Sequence, residues 1–344
     1  MHTRPTEAII DVDALVYNYQ YYKEKTDLEV FAVVKANAYG HGDVLVTDAL
    51  KDHVKVFCVS SLDEALHLKE AGITQDILIF SYVSPQYVEK YQDKQFIYSA
   101  ISYDWFEAVK DFDIRVHLKI DTGMNRVGIK NFEDIEKILK LQKNQVEGIY
   151  THFSSSDDDL VYTNSQVKKF EALVEKCNYP FKWVHASNTH AATSIQSDVF
   201  NAMRLGIGLY GYEKDNHDLK KVMHLKTSII QIQKIEAYET VGYNRTFEAD
   251  EEMLIATLPI GYADGFDVRM KSVLIGNKKY PIVGKICMDQ CMVRVDETVK
   301  LHDTVSLILD YEETQSETGI MPYILMTCIS SRVSRVKKSS SDSN

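Results

Sequence analysis

A lysine at the end of an apolar run is the first group in this sequence whose position suggests chemistry. Lys35 follows the apolar residues 31–34, which are typical of a buried strand. Burying a charged amine costs free energy, so a lysine at such a position is favoured when it is neutral or covalently bound. Lys35 is therefore a candidate for a Schiff base with a carbonyl group. The alternative is a structural ion pair formed by a side chain that extends to water.

Further candidate groups follow later strand-like runs. Arg126 stands just past one of them and suits bidentate binding of a carboxylate, and His152 lies at the end of the next. The loops after the last two predicted strands contain Asn188, Thr189, Gly206 and Ile207. Loops at these places in a barrel commonly bind a phosphate. The alternative for the glycine is a role in packing only. A lysine, an arginine, an imidazole and a phosphate loop together indicate a pyridoxal-phosphate site for an amino acid.

The elements that must position these groups alternate between strand and helix. Segment 61–72 is the clearest helix, because Ser61 and Glu64 have capping-box spacing and Gly72 follows as a terminator. The predicted strands are residues 31–35, 56–59, 77–80, 96–98, 116–120, 146–150, 183–185 and 204–207. Eight such units favour an α/β fold of the (β/α)₈ TIM-barrel type over a doubly wound sheet, and the sequence contains no GxGxxG.

The pattern changes after the polar stretch 213–218. Beyond it, short predicted strands with little helical period between them cover residues 228–232, 253–258, 272–275, 280–283, 291–295 and 305–309. We therefore expect a barrel over residues 1–222, whose first residues can add to the next domain, and a smaller, mostly β domain over 223–336. Residues 337–344 have little to bury and are predicted to be disordered.

Composition narrows the classes of function. A net charge of −11 disfavours nucleic acid as a partner. Apolar runs far shorter than the roughly 18 residues of a membrane span, and an N-terminus without an apolar signal region, lead us to expect no membrane association and a cytoplasmic location. Five cysteines, an odd and dispersed number, indicate reduced thiols, and the spacing of Cys287 and Cys291 gives no metal site.

Several long motifs, in order along the chain, resemble the alanine racemase family. They occupy residues 32–42, which include Lys35, and residues 121–126, 203–207, 258–265 and 284–290. The resemblance implies a barrel with a C-terminal β domain, pyridoxal 5'-phosphate as cofactor, and a homodimer whose active sites are shared between subunits. It also implies interconversion of L- and D-alanine to supply peptidoglycan.

The resemblance assigns roles to individual residues. Lys35 and Tyr243 match the two catalytic bases, while Arg126, Met288 and Tyr262 match substrate-binding positions. Lys119 matches a position that some members carry as a carbamate, which orients the substrate-binding arginine. The implied cofactor-binding set is Lys35, Tyr39, His152, Asn188, Thr189, Arg204, Gly206, Ile207 and Tyr323.

The sequence departs from the family pattern in three places. Thr189 stands where many members have serine, Ser331 replaces a frequent aromatic residue, and segment 310–321 looks shortened. Two other functions remain open at this point: racemisation of another amino acid such as serine, and a pyridoxal-phosphate-binding barrel without catalysis. A decarboxylase is disfavoured, because we would expect an acid in place of Arg204 beside the pyridine nitrogen.

Overall fold

The computed structural model describes residues 3–142, 145–308 and 310–339. Within these ranges the chain divides into two compact units. The barrel unit consists of residues 14–38 and 43–220. The β unit consists of residues 3–13 and 39–42 and the part of the chain from residue 221 onward. Strands and helices are numbered along the whole chain, beginning with β1 (Glu7–Ile10) of the β unit and α1 (Val12–Lys25).

Eight parallel strands close the barrel, and β9 pairs with β2 to complete it. They are β2 (Glu29–Val33), β3 (Val56–Val59), β4 (Asp76–Ile79), β5 (Phe96–Ala100), β6 (Arg115–Lys119), β7 (Val146–Tyr150), β8 (Trp183–His185) and β9 (Ala202–Leu205). The predicted (β/α)₈ barrel is therefore confirmed. The first predicted strand is too long, because β2 ends at Val33 and Lys35 already belongs to a turn of left-handed backbone.

Helices lie between the barrel strands. They are α3 (Asp43–Leu50), α4 (Leu62–Glu70), α5 (Pro85–Lys90), α6 (Tyr103–Val109), α7 (Phe132–Leu141), α8 (Leu160–Cys177) and α9 (Thr189–Ser194), whereas the segment numbered α2 (Lys35–Tyr39) is the left-handed turn. At the start of α4, Ser61 accepts a hydrogen bond from the Glu64 amide and the Glu64 carboxylate accepts one from the Ser61 amide. The predicted capping box is confirmed. A short 3₁₀ turn, Ile207–Tyr210, follows β9.

The β unit contains a nine-stranded sheet in the order β11-β14-β17-β16-β15-β18-β10-β1-β19 and a two-stranded sheet, β12-β13. Its strands after β1 are β10 (Met223–Ser228), β11 (Gln231–Ile235), β12 (Thr240–Val241), β13 (Phe247–Glu248), β14 (Met253–Leu258), β15 (Ser272–Ile275), β16 (Lys278–Val283), β17 (Cys291–Val295), β18 (Thr304–Ser306) and β19 (Ser334–Lys337). Two helices, α10 (Tyr311–Thr318) and α11 (Pro322–Thr327), precede β19. Short 3₁₀ turns occupy Tyr243–Arg245 and Tyr262–Asp264.

Three predictions for this region need correction. The strand predicted over 228–232 is wrong, because β10 ends at Ser228 and β11 begins at Gln231. The last predicted strand is displaced: β18 ends at Ser306, and Leu309 lies outside the described residues. The disordered tail is wrong at its start, since Lys337 ends β19 and Lys338 forms an ion pair with Asp11 at 2.7 Å. Residues 340–344 of that tail lie outside the described residues.

The first residues of the chain are part of the large sheet of the β unit. Strand β1 pairs antiparallel with β10 and parallel with β19, so the N-terminus and the C-terminal strand meet at one edge. Separately, Ile235, Val241, Met253 and Val283 pack in an apolar cluster next to the two-stranded sheet. In the described part of the chain, no helix is long and apolar enough to cross a membrane.

Candidate active site

A strained turn places Lys35 at the end of the first barrel strand. Ala36, Asn37 and Ala38 have φ values of +51 to +55°, which are costly for residues with a Cβ. Side-chain oxygens hold the turn: Glu64 accepts from the Ala36 amide at 2.7 Å, and Asn37 accepts from the Asp43 amide at 2.9 Å. The chain therefore leaves β2 abruptly, and Lys35 is fixed at its carboxyl end.

The environment of Lys35 favours a neutral amine. Burial lowers the pKa of Lys35, and the positive charges of Arg126 and Arg204 lower it further, while Glu64 opposes them. A neutral amine is the form that attacks a carbonyl carbon. The direction of this shift is the one that a Schiff-base lysine requires, and the role of Lys35 stays a prediction.

Arg204 is a buried cation surrounded by neutral hydrogen-bond acceptors. Its Nη1 donates to His185 Nδ1 at 2.8 Å and to the His185 carbonyl at 3.1 Å. Its Nη2 donates to the carbonyls of Thr151 and Ala186 at 2.8 and 3.0 Å, and lies 3.2 Å from His152 Nδ1. Burial lowers the pKa of Arg204 to about 10.

Two features of Arg204 point to a ligand. Among the described residues, no carboxylate lies within ion-pair distance of the guanidinium, and its Nε–H makes no hydrogen bond. A guanidinium can only donate, so an N–H that no protein atom accepts is available to an acceptor on a ligand. The site can therefore bind a group that presents an acceptor to this N–H.

Lys119 lies in the same group of positive charges. Its Nζ donates to the Ile120 carbonyl at 3.3 Å and lies 5.0 Å from the centre of the Tyr150 ring. Burial lowers the pKa of Lys119 to about 7, with further contributions from Arg204 and Arg126. A large fraction of this amine is consequently neutral near pH 7.

His152 and Arg126 complete the cluster in the barrel unit. Burial lowers the pKa of His152 well below its usual value, and the neighbouring positive charges add to this, so the ring is neutral. Arg126 is exposed and follows a loop in which the Asp121 carboxylate accepts from the Gly123 and Asn125 amides at 2.9 and 3.0 Å. The barrel unit thus brings together Lys35, Lys119, Arg126, His152 and Arg204.

The predicted phosphate loops meet after β8 and β9. Thr189 Oγ1 accepts from the Gly208 amide at 3.2 Å, and a Cβ at Gly208 would lie 2.7 Å from the Thr189 methyl carbon. Asn188 has a different local role, because its Oδ1 caps α9 by accepting from the Ala191 amide at 3.0 Å. Gly206 and Ile207 begin the following 3₁₀ turn. Contact of these residues with a phosphate stays a prediction.

The remaining predicted site residues lie in the β unit, where most are exposed. The exposed fractions are 68% for Tyr243, 48% for Tyr262, 53% for Met288 and 41% for Tyr323. The loops of Tyr262 and Met288 are joined, since the amides of Tyr262 and Ala263 donate to the carbonyls of Cys287 and Met288. Tyr39, which is buried, lies with its ring centre 6.2 Å from that of Tyr323.

The sequence of β6 contains a further signal of functional residues. Arg115, His117 and Lys119 alternate with Val116 and Leu118 along β6, and all of these except Arg115 are buried. In a barrel strand, such alternation indicates a polar row on one face. His117 indeed forms a hydrogen bond at 2.9 Å with His185, and neither histidine is among the predicted site residues.

Comparison with known proteins identifies related chains along nearly the whole length. The family model "Alanine racemase, N-terminal domain" matches residues 10–214, and "Alanine racemase, C-terminal domain" matches residues 222–337. An alanine racemase of Streptococcus mutans is 35% identical, covering 96% of both chains.

Solved structures of alanine racemases are also similar to this chain. The alanine racemase of Clostridium difficile 630 has a TM-score of 0.91 at 31% identity, covering 97% of this chain and 95% of that one. A histidine racemase of Leuconostoc mesenteroides also reaches a TM-score of 0.91, covering 98% and 99% of the two chains, but at 24% identity this shows the fold alone. The chain belongs to the alanine racemase family.

Proposed function

We propose that this protein is an amino-acid racemase that interconverts L- and D-alanine with pyridoxal 5'-phosphate as cofactor. The observation that carries the proposal is the pairing of Lys35, whose pKa is lowered, with Arg204, a buried cation that keeps one N–H without a partner among the described residues. When bound, the cofactor withdraws electrons from the α carbon of the amino acid and makes its proton acidic.

The residues present fit this cofactor. Lys35, whose pKa is lowered, would hold it covalently through its amine, and the free Nε–H of Arg204 suits the pyridine nitrogen. The Thr189 hydroxyl accepts from the Gly208 amide and keeps its own O–H to donate, which supports its contact with a phosphate at the predicted position. Residues proposed to bind the cofactor besides Lys35 and Arg204 are Tyr39, His152, Asn188, Thr189, Gly206, Ile207 and Tyr323.

Arg204 also suits racemisation better than transamination. A guanidinium donates a hydrogen bond but keeps its proton, so Arg204 supports a weaker electron sink than a carboxylic acid partner does. Less charge is then stabilised away from the α carbon, which favours return of the proton to that atom. Its position therefore argues for an isomerase within the possible pyridoxal-phosphate activities.

Two bases are required because racemisation removes a proton from one face of the α carbon and returns one to the other. Lys35 would move the proton at its Nζ on one face, and Tyr243 would do so at its Oη on the other. Arg126 would bind the substrate carboxylate together with the Met288 amide, and Tyr262 would line the same position.

Lys119 is proposed to carry a carbamate that orients Arg126. Its neutral amine would add to carbon dioxide, with loss of one proton, and the resulting anion would accept a hydrogen bond from the guanidinium. The lowered pKa of Lys119 supports this addition. Labelled bicarbonate should give a carbamate signal that disappears in Lys119→Met, and its absence from the wild-type protein would exclude the modification.

The active site is proposed to be shared in a homodimer. Tyr243, Tyr262 and Met288 are large side chains exposed in the β unit, which supports their covering by a second copy of the chain. A two-fold pairing would complete two equivalent sites, each with Lys35 of one chain and the partner subunit's Tyr243. We further propose a cytoplasmic enzyme whose D-alanine supplies peptidoglycan.

Substrate turnover tests the function. Purified protein with pyridoxal 5'-phosphate should convert L-alanine to D-alanine faster than it converts L-serine, L-lysine or L-histidine, and Lys35→Ala should convert none. Faster turnover of L-serine than of L-alanine would show that serine is the substrate. Cofactor binding without turnover of any of the four would favour the non-catalytic barrel.

A further inference from the structure

A row of polar side chains extends from Arg204 through the interior of the barrel unit. Arg204 Nη1 lies 2.8 Å from His185 Nδ1, and His185 Nε2 lies 2.9 Å from His117 Nδ1. His117 Nε2 lies 3.5 Å from Glu147 Oε1, and Glu147 accepts two hydrogen bonds from Arg115. Both imidazoles are fully buried. We call His185, His117 and Glu147 the histidine row.

The row has a single direction, set by the arginine. A guanidinium can only donate, so His185 Nδ1 must be the acceptor and the proton of this neutral ring must be on Nε2. That proton is donated to His117 Nδ1. The proton of His117 is therefore also on Nε2, where it faces the carboxylate of Glu147.

The barrel is shaped locally to accommodate His117. Gly148 lies opposite it on β7, and a Cβ at that position would be 2.6 Å from both Cδ2 and Nε2 of the imidazole. The pairing of β6 with β7 also shifts register, from Val116 with Val146 to His117 with Gly148. Glu147 is thus the extra residue of a bulge, a feature that redirects a side chain.

A misplaced proton in the row would face Arg204 with a second donor. If His185 were charged, or were protonated on Nδ1, an N–H would point at the N–H of the guanidinium only 2.8 Å away. Arg204 would then have to turn, and its Nε–H would move with it. The position of one donor in the site consequently depends on protons held farther inside the barrel.

We propose that the histidine row positions Arg204, so that its Nε–H remains free and correctly directed for the cofactor. The proposal rests on the proposed function in one respect, because it takes the pyridine nitrogen as the acceptor. The arrangement of the histidine row around Arg204 is independent of that function. His185, His117 and Glu147 are positioning residues, since they act through Arg204.

Proton positions provide the direct test. Nitrogen NMR of histidine-labelled protein, with signals assigned through His185→Gln and His117→Gln, should show both rings neutral and protonated on Nε2. This readout does not depend on turnover. A charged ring, or a proton on Nδ1 of either residue, would overturn the proposal even in an active racemase.

Gly148→Ala tests the row without removing a polar group. The added methyl should displace the His117 ring, shift its nitrogen signals, weaken cofactor binding and lower kcat about tenfold, the loss expected for one hydrogen bond to a charged group. Ile149→Val, at the next buried position of the strand, is the matched control and should leave the signals and the cofactor affinity unchanged.

Failure of the positioning role and failure of the proposed racemase function give different results. If Gly148→Ala shifts the His117 signals while cofactor affinity and kcat stay within about twofold of the wild-type values, the row does not position Arg204. If the wild-type protein binds the cofactor but does not racemise alanine, the proposed function fails. A parallel loss of cofactor affinity in Gly148→Ala would still support the row in that case.

Discussion

One buried charge in each unit shows a contrast between a structural charge and a candidate ligand-binding charge. In the β unit, the fully buried Asp264 is paired with Arg4 through hydrogen bonds of 2.7 and 2.9 Å, and it also accepts from the Gly261 amide. In the barrel unit, the buried Arg204 has only neutral acceptors among the described residues. A charge that only holds a loop is neutralised, whereas a charge that serves a ligand keeps part of its bonding capacity unused.

The pKa values of the buried groups show the same contrast. Burial by itself would raise the pKa of Asp264, but Arg4 and the Gly261 amide together hold it below its ordinary value. Burial also dominates at Arg204, Lys119 and Lys35, where it lowers the pKa; nearby acidic groups such as Glu64 beside Lys35 and Asp121 beside Lys119 oppose this lowering but do not reverse it. Clustered shifts of one sign are typical of functional sites. The barrel unit therefore contains a cluster of cationic and donor groups suited to an anionic or hydrogen-bond-accepting ligand.

The largest effect is expected at the lysine. Lys35→Ala should lower racemisation in both directions by at least about 10³-fold, because both covalent attachment and one base are lost. Cofactor absorption and borohydride fixation check this. Fixation of the cofactor onto a different lysine would contradict the assignment of Lys35.

Arg204→Gln should separate activity from stability. We expect kcat to fall about 10²-fold, since a donor in a site that excludes water is lost. The free energy of unfolding should change by less than about 1 kcal/mol, because the loss of hydrogen bonds is offset by removal of a buried charge that no carboxylate among the described residues neutralises. Urea titration beside the kinetic assay measures both. A large loss of stability would mean that Arg204 is a structural cation like Arg4.

Arg126→Lys should raise KM for alanine more than it lowers kcat. A point charge replaces a two-pronged donor, and the expected cost is about 1 to 3 kcal/mol. Steady-state kinetics with each enantiomer measure it. Should KM remain within about twofold of the wild-type value, the carboxylate is bound elsewhere.

The smallest effect on activity is expected in the β unit. Arg4→Gln should lower the free energy of unfolding by about 1 kcal/mol, a value reduced because Arg4 is partly exposed. The pKa of Asp264 is lowered by folding, so this contribution is present above about pH 4 and is lost as the pH falls through the lowered value. Unfolding curves at neutral and acidic pH check it. If Arg4→Gln lowers the free energy of unfolding equally at neutral and at acidic pH, the ion pair with Asp264 is not the source of the stabilisation.

The sequence predicted the barrel because its strands are buried on both faces and read as apolar runs. The bounds of β7 and β8 follow directly from such runs. The turn after β2 could not be predicted, because four residues with a Cβ adopt positive φ only where Glu64 and Asn37 hold the backbone. The pairing of Arg4 with Asp264 joins residues 260 positions apart, for which one sequence has no local signal.

The site was predicted in part for the same reason. Lys35, Lys119, Arg126, His152 and Arg204 follow strands or lie in them, and a parallel barrel brings strand ends together. The histidine row was missed, since it needs the register shift at Glu147 to be known. Tyr243 could be selected among 21 tyrosines only through the family resemblance.

The proposed homodimer requires that Lys35 of one chain act together with the partner subunit's Tyr243. Inactive Lys35→Ala and inactive Tyr243→Phe proteins should be mixed in equal amounts and allowed to exchange subunits. With random pairing, half of the dimers are mixed and each has one intact site, so activity should return to about a quarter of the wild-type value. No recovery, with exchange demonstrated by differently tagged subunits, would contradict the claim and place both bases within one chain.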